Sequence, residues 1–155
     1  MIRFEKAKAA DAKELAMVSR RAFDDDVNYG APGPGGPPGY KSDRWQGKMM
    51  KMGKYYKIVD ELRIIGGFIA FDMGEGRYEL GRIFIDPGCQ NQGIGARAFD
   101  FIREEFPQVE RWTLGTPEWN GRTRHFYAKM GFEEVGKEEP DGILFEKRMP
   151  AAESS

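Results

Sequence analysis

One stretch constrains this chain more than any other: Ile83-Phe84-Ile85-Asp86-Pro87-Gly88-Cys89-Gln90-Asn91-Gln92-Gly93-Ile94-Gly95-Ala96. An apolar run with strand character breaks at Pro87-Gly88 and restarts as a glycine-spaced segment opening a helical pattern, Arg97 to Phe106. A strand, a short loop and a glycine-lined helix start together make an anion site. The first-turn N–H groups have no partner inside the helix, and the dipole places roughly half a positive charge there. Gly93 and Gly95 are expected to let a phosphate approach the backbone where a Cβ would block it.

The remaining composition narrows the classes. At 155 residues the chain suits one well-packed domain, expected over 1–150, with 151–155 as a frayed tail. With 24 basic against 25 acidic residues, no general pull toward nucleic acid or anionic membrane is expected. One cysteine excludes an intrachain disulfide, and one histidine argues against a structural zinc site, so no metal is expected. No apolar run approaches the ~20 residues of a membrane helix, and Met1 to Lys6 lacks a signal-peptide core, so a cytoplasmic protein is expected.

The pattern predicts β-α-α-β-β-β-α-β-α-β-β, an α/β fold with a mixed, mainly antiparallel sheet flanked by helices. Ile2 to Ala7 alternates as an edge strand does. Asp11 is placed to cap a helix carrying Leu15, Val18, Ala22 and Phe23 on one face. That helix runs into Asp24-Asp25-Asp26 and then Gly30 to Gly39, where nine of ten residues are Gly or Pro, a loop. Ser42 caps a second helix reaching Lys54. Tyr55–Val59, Arg63–Met73 and Arg77–Asp86 read as strands, the last two joined by the turn Gly74-Glu75-Gly76. Phe106 ends the glycine-opened helix before Pro107. Arg111–Leu114 is a strand, Trp119–Met130 a helix stopped by Gly131, and Phe132–Val135 with Ile143–Arg148 a closing hairpin.

A dinucleotide-binding reading wants its Gly-x-Gly-x-x-Gly after the first strand of a βαβ unit, and here three antiparallel-looking strands precede it and the third glycine is missing. A Walker loop needs Gly-Lys-Ser/Thr, which is absent. Instead, Gln90-x-x-Gly93-x-Gly95 after Ile83-Phe84-Ile85, followed by Asn120, Tyr127 and Lys129-Met130-Gly131-Phe132, resembles the GNAT superfamily of acetyl-CoA-dependent N-acetyltransferases. The element order matches that fold as well, so the resemblance covers most of the chain.

The resemblance implies roles residue by residue. Amides of Asn91, Gln92, Gly93, Ile94, Gly95 and Ala96 would hold the coenzyme A pyrophosphate, with Gln90 ordering the loop. Ile83, Phe84 and Ile85 would pair edge-on with the pantetheine arm, as an added strand does, and an N–H near Ile85 would steady the oxyanion. Asn120 would contact the coenzyme arm or cap its helix. Tyr127 would protonate the leaving thiolate; otherwise it is a packing aromatic.

An alkylamine has a pKa near ~10.4, so only about one molecule in a few thousand is an unprotonated nucleophile at neutral pH. Glu79, of the same strand parity as Ile83 and Ile85 and thus expected on their face, is the candidate base. The alternative pairs it with Arg63, Arg77 or Arg82. Cys89 reads as a bystander, and His125 as a solvated or capping residue. Asp25, Asp26, Tyr29 and Tyr40, around the Gly/Pro loop, are candidate contacts for a cationic acceptor, or else an ordinary solvated helix end. The expected function is acetyl transfer from acetyl-CoA to a primary amine of a small molecule or peptide; members of the family often dimerise, and the sequence leaves the oligomeric state of this chain open, a homodimer included. The competing class is a non-catalytic coenzyme A-binding sensor or scaffold.

Overall fold

The computed structural model describes residues 1–150; the expected tail at 151–155 lies outside the described residues. Seven strands form one sheet in the order β1-β2-β3-β4-β5-β7-β6. They are β1 (Ile2–Lys6), β2 (Lys54–Asp60), β3 (Arg63–Gly74), β4 (Arg77–Ile85), β5 (Arg111–Pro117), β6 (Glu133–Glu138) and β7 (Gly142–Arg148). The helices are α1 (Ala12–Asp24), α2 (Asp43–Met52), α3 (Ile94–Glu105) and α4 (Gly121–Lys129). All neighbouring strands run antiparallel except β4 and β5. The mixed, mainly antiparallel α/β fold expected from the pattern is the fold observed.

The helices divide between the two faces by their apolar stripes. Leu15, Val18 and Ala22 of α1 and Met49 of α2 bury against Tyr55, Val59, Ile69 and Phe84. On the other face Ile102 of α3 and Tyr127 of α4 pack on Tyr56, Phe68, Leu80, Trp112 and Phe145. Leu15 and Phe68 are wholly buried, each such side chain contributing about 1.5–3 kcal/mol. Ser42 caps α2 by accepting from Trp45 N at 3.1 Å. Asp11 departs from its expected role. Its carboxylate turns back to Lys8 N at 2.8 Å and Lys57 Nζ at 2.9 Å, and gives α1 no side-chain cap. Among the described residues no helix is long and apolar enough to cross a membrane.

The β4–β5 pairing matters most for function. Only Arg77, Tyr78 and Glu79 pair, with Arg111, Trp112 and Thr113. Both strands continue, β4 to Ile85 and β5 to Pro117, without pairing to each other. The register against β3 jumps between Ile69↔Arg82 and Ala70↔Leu80, leaving Gly81 as the extra residue of a bulge. A bulge bends its strand and steepens the local twist. It sits immediately beyond the last β4–β5 pair, where the two strands part.

Candidate active site

The cleft opened by β4 and β5 leads to the start of α3. Gly93 is the N-cap of that helix, at φ 75°, with Arg97 N donating to its carbonyl at 3.1 Å. Asn91 is also left-handed, at φ 63°. Asn91, Gln92 and Gly93 are exposed, Ile94 is buried, and Gly95 and Ala96 are half-buried. The two glycines have different reasons. A Cβ on Gly93 would meet nothing within 4 Å, so that position leaves the helix start open to a ligand and needs glycine for its φ. A Cβ on Gly95 would come 2.8 Å from Phe126 Cζ, so this glycine serves the contact of α3 with α4. The expectation that Gly95 clears a path for phosphate is corrected to one of helix packing.

Gln90 bridges the loop and its surroundings. Its Nε2 donates to the Ile85 carbonyl at 3.1 Å, and its Oε1 accepts from Arg122 Nη1. Arg122 also donates through Nη2 to Asp26 Oδ1 at 3.0 Å and stacks on the Tyr29 ring at 3.7 Å. Asp25 lies 4.0 Å from the same guanidinium and accepts from Asn28 at 2.9 Å. Tyr40 is elsewhere, donating to Asp24 at 2.8 Å. Thus Asp25, Asp26 and Tyr29 converge, but on a cation of this chain. The sequence offered them as contacts for a cationic acceptor or as an ordinary helix end, and in the structure their cation is Arg122.

Asn120 is buried and caps α4, its Oδ1 accepting from Thr123 N at 3.1 Å. Tyr127 is buried on the same helix among Phe99, Phe126, Phe132 and Phe145. Burial pushes its phenol well above the usual tyrosine range, and the charge of Asp26 adds to this.

Glu79 does not share a face with Ile83 and Ile85, because the Gly81 bulge reverses the alternation between them. Glu79 is registered with Phe71, which packs beside α1 and α2. Ile83 and Ile85 are registered with Phe68 and Gly66, and Ile83 packs on the α3/α4 core. Phe84 packs on the α1/α2 side. Glu79 is half-buried and, among the described residues, has no ion-pair partner, so the pairing with Arg63, Arg77 or Arg82 is absent. Burial raises its carboxyl above the usual range, and the Glu138 charge raises it further. Glu79 and Tyr127 therefore belong to opposite faces, with the β4–β5 gap between them.

Sequence reading gave Arg122 and Glu138 no part in the site and named Arg82 only as a partner for Glu79. Arg122 and Asp26 are 96 residues apart, and no local pattern joins them. Glu138, on β6, extends over β7 until its carboxylate covers Gly115 of β5, where any Cβ would overlap it. His125 is exposed, and Cys89 is buried with Arg63 Nη2 3.4 Å from its sulfur.

Comparison with known proteins matches this architecture. The family model of the acetyltransferase (GNAT) domain matches residues 52–134, more than half of the chain. An uncharacterised Bacillus subtilis protein, YrkN, is 27% identical over 79 residues, and the chain spans 43% of that relative's length. The PaiA N-acetyltransferase of Thermoplasma acidophilum, solved with coenzyme A, superposes with a TM-score of 0.82 at 16% identity, over 96% of this chain and 99% of that one. The ribosomal-protein-S18-alanine N-acetyltransferase of Escherichia coli gives 0.73 at 15% identity, over 100% and 99% of the two chains. The domain match over more than half of the chain, on a fold these structures share, shows that this chain belongs to the GNAT acetyltransferase family.

Proposed function

We propose that this chain transfers an acetyl group from acetyl-CoA directly to a primary amine. The observation carrying the reading is the early end of the β4–β5 pairing at Glu79/Thr113, which leaves two strand edges running toward the open start of α3. Bound acetyl-CoA supplies the activated acetyl group. The residues present suit it. Exposed backbone from Asn91 to Gly93 offers N–H donors at a helix start for the pyrophosphate. The edge Leu80–Ile85 offers a strand partner for the amide-bearing arm. The coenzyme A complex of the PaiA relative supports the same assignment.

Each chain residue then has a task. Glu79, uncompensated by any cation and raised in pKa, takes the proton of the incoming ammonium, directly or through water. The amine nitrogen bonds to the acetyl carbon as the carbon–sulfur bond breaks, and the second proton of that nitrogen passes through water to the departing thiolate, giving the amide and the free coenzyme A thiol. N–H groups of the free β4 edge donate to the carbonyl oxygen as charge develops there. Tyr127 donates to the leaving sulfur. A thiol titrates near ~8.5, below a buried phenol, so Tyr127 acts mainly as a hydrogen-bond donor to the thiolate and full transfer runs uphill.

Release of free coenzyme A thiol, measured with acetyl-CoA over a panel of small amines and amino-terminal peptides, tests the reading. Acetyl-CoA binding without turnover on any amine would favour the sensor class instead. The panel also separates a small-molecule from a peptide acceptor.

A further inference from the structure

On the acceptor side of the site, besides Glu79, a cation stands without an ion-pair partner among the described residues. The bulge at Gly81 turns Arg82 onto the α1/α2 face, registered with Ile69, so that it shares that face with Glu79 and Phe84. There its guanidinium stacks on Trp45 of α2 at 3.8 Å. Its Nη2 donates to the Pro38 carbonyl of the Gly/Pro loop, which lies over it. Its Nη1 is shut away from solvent with no hydrogen-bond partner. Among the described residues no carboxylate stands within ion-pair distance of it, whereas Arg20, Arg21, Arg122 and Arg124 each have one.

Such an arrangement is costly by itself. A buried unpaired donor or charge is destabilising unless something meets it. Here burial lowers the guanidinium to about 10, an uncommon position for arginine. The stack on Trp45 and the bond to Pro38 fix the plane of the group, leaving Nη1 as the donor without an acceptor. Arg82 is three residues from Glu79, roughly 10 Å of extended strand, and lies within the stretch of β4 that β5 does not cover. Asp25 and Asp26, by contrast, are already met by Arg122. Two charges on this side thus stand without an ion-pair partner, the Glu79 carboxylate that serves as base and the Arg82 guanidinium.

We infer that Arg82 is a specificity-determining residue, and that the acceptor is an amine bearing a carboxylate, which Nη1 of Arg82 receives once the Pro38 segment of the Gly/Pro loop lifts and uncovers it, while the amine lies toward Glu79. This rests on the proposed acetyl transfer and narrows its acceptor. A carboxylate needs one well-placed charged donor for a strong hydrogen bond, and the pre-oriented guanidinium supplies it. The Gly/Pro loop, fastened through Pro38 to the same guanidinium, then closes over an acceptor held by its acid end.

The experiment compares amino acids with their decarboxylated counterparts under saturating acetyl-CoA. The pairs are glycine with methylamine, β-alanine with ethylamine, and γ-aminobutyrate with propylamine. Phosphoethanolamine with ethanolamine forms a fourth pair, to separate carboxylate from phosphate. In the native protein at least one carboxylate pair is expected to favour the acid by about 10-fold or more in kcat/KM, mostly through KM. Arg82→Gln is expected to abolish that preference, the acid-to-amine ratio of kcat/KM falling to about one whatever the absolute rates. Arg82→Lys retains the charge without the planar stack and is expected to keep part of it. Equal losses for acid and simple amine in Arg82→Gln would reduce Arg82 to a fastening of the loop and overturn the inference. So would the absence of any acid preference in the native protein, or a preference confined to the phosphate pair. Binding of the same acids is measured in parallel by isothermal titration of native and Arg82→Gln protein. If no amine is acetylated, the proposed activity fails on its own account. Acid binding that disappears in Arg82→Gln would still support the subsite, and absence of binding would overturn it.

Discussion

Arg122 Nη2 and Asp26 Oδ1 stand 3.0 Å apart, joining the first turn of α4 to the 3₁₀ turn that follows α1. The same guanidinium reaches Gln90 in the loop before α3, so one side chain ties together three segments around the cleft mouth. Burial raises the Asp26 carboxyl, and Arg122 opposes that rise without cancelling it. Removing Arg122 leaves a largely buried carboxylate without its cation. Arg122→Ala is expected to cost about 1–3 kcal/mol, a fall in Tm of several degrees for a chain of this size. Thermal unfolding followed by circular dichroism gives the answer; an unchanged Tm would mean the three segments are held by packing alone.

Glu79 predicts a pH profile. A base works when deprotonated, so kcat/KM must rise with pH through the Glu79 pKa. Burial, first, and Glu138, second, raise that pKa, placing the acid limb above the ordinary glutamate range near ~4.3. The groups facing Glu79 are Thr113 on β5, Phe71 on β3 and Glu138 from β6, with Arg77 and Arg111 one row away and Glu146 paired to Arg111. Glu138→Gln removes a like charge and is expected to move the limb to lower pH, while Glu79→Gln abolishes it. A limb that stays in place in Glu138→Gln would show that burial alone sets it.

Tyr127→Phe keeps the ring and removes the donor. The packing against Phe99, Phe132 and Phe145 is preserved, so acetyl-CoA affinity is expected to hold within about twofold. Turnover is expected to fall by about 100-fold, the low end for a positioned acid–base group. Single-turnover rates are the clean readout, and an unchanged rate removes Tyr127 from the chemistry.

The two glycines of the α3 start are expected to fail differently. Gly95→Ala drives a methyl toward Phe126 and is expected to destabilise by about 1–3 kcal/mol through overpacking. Gly93→Ala meets no neighbour but must hold φ 75°, a penalty of about 1–2 kcal/mol, and it crowds the open helix start. Chemical denaturation together with acetyl-CoA titration separates them. Weaker coenzyme binding is expected in Gly93→Ala well beyond any shift in Gly95→Ala.

Asp11 gives an acid-stability prediction. Burial works against its charge, but the Lys8 amide and the Lys57 ammonium outweigh it and hold the carboxyl below the usual range. A depressed folded pKa contributes stability that is present above the unfolded value of ~3.9 and is lost as pH falls through the folded one. Asp11→Asn is therefore expected to be less stable than the native protein at neutral pH, with the difference closing on acidification. Urea unfolding at pH 7 and at successively lower pH measures it.

Much of the fold was legible because periodicity reports local burial. Leu15, Val18 and Ala22 declare one face of α1, Pro107 closes α3, and Gly74-Glu75-Gly76 turns β3 into β4. Even the strand end and the glycine-opened helix start stood out, since a strand, a turn and a helix start are contiguous in the chain. Strand parity failed at Gly81. A bulge inserts a residue only relative to the partner strand, and β3 has no mark in the β4 sequence.

The sequence by itself determined the elements, their order, and the glycine-opened start of α3. Those depend on residues within a turn or two of one another. Tertiary structure alone decided which charges remain unanswered. Asp25 and Asp26 found Arg122, Glu79 found Glu138 in place of a cation, and Arg82 was left with an unpaired Nη1 beneath Pro38. Charge compensation is set by distances through space, and folding brings together groups that no local pattern connects.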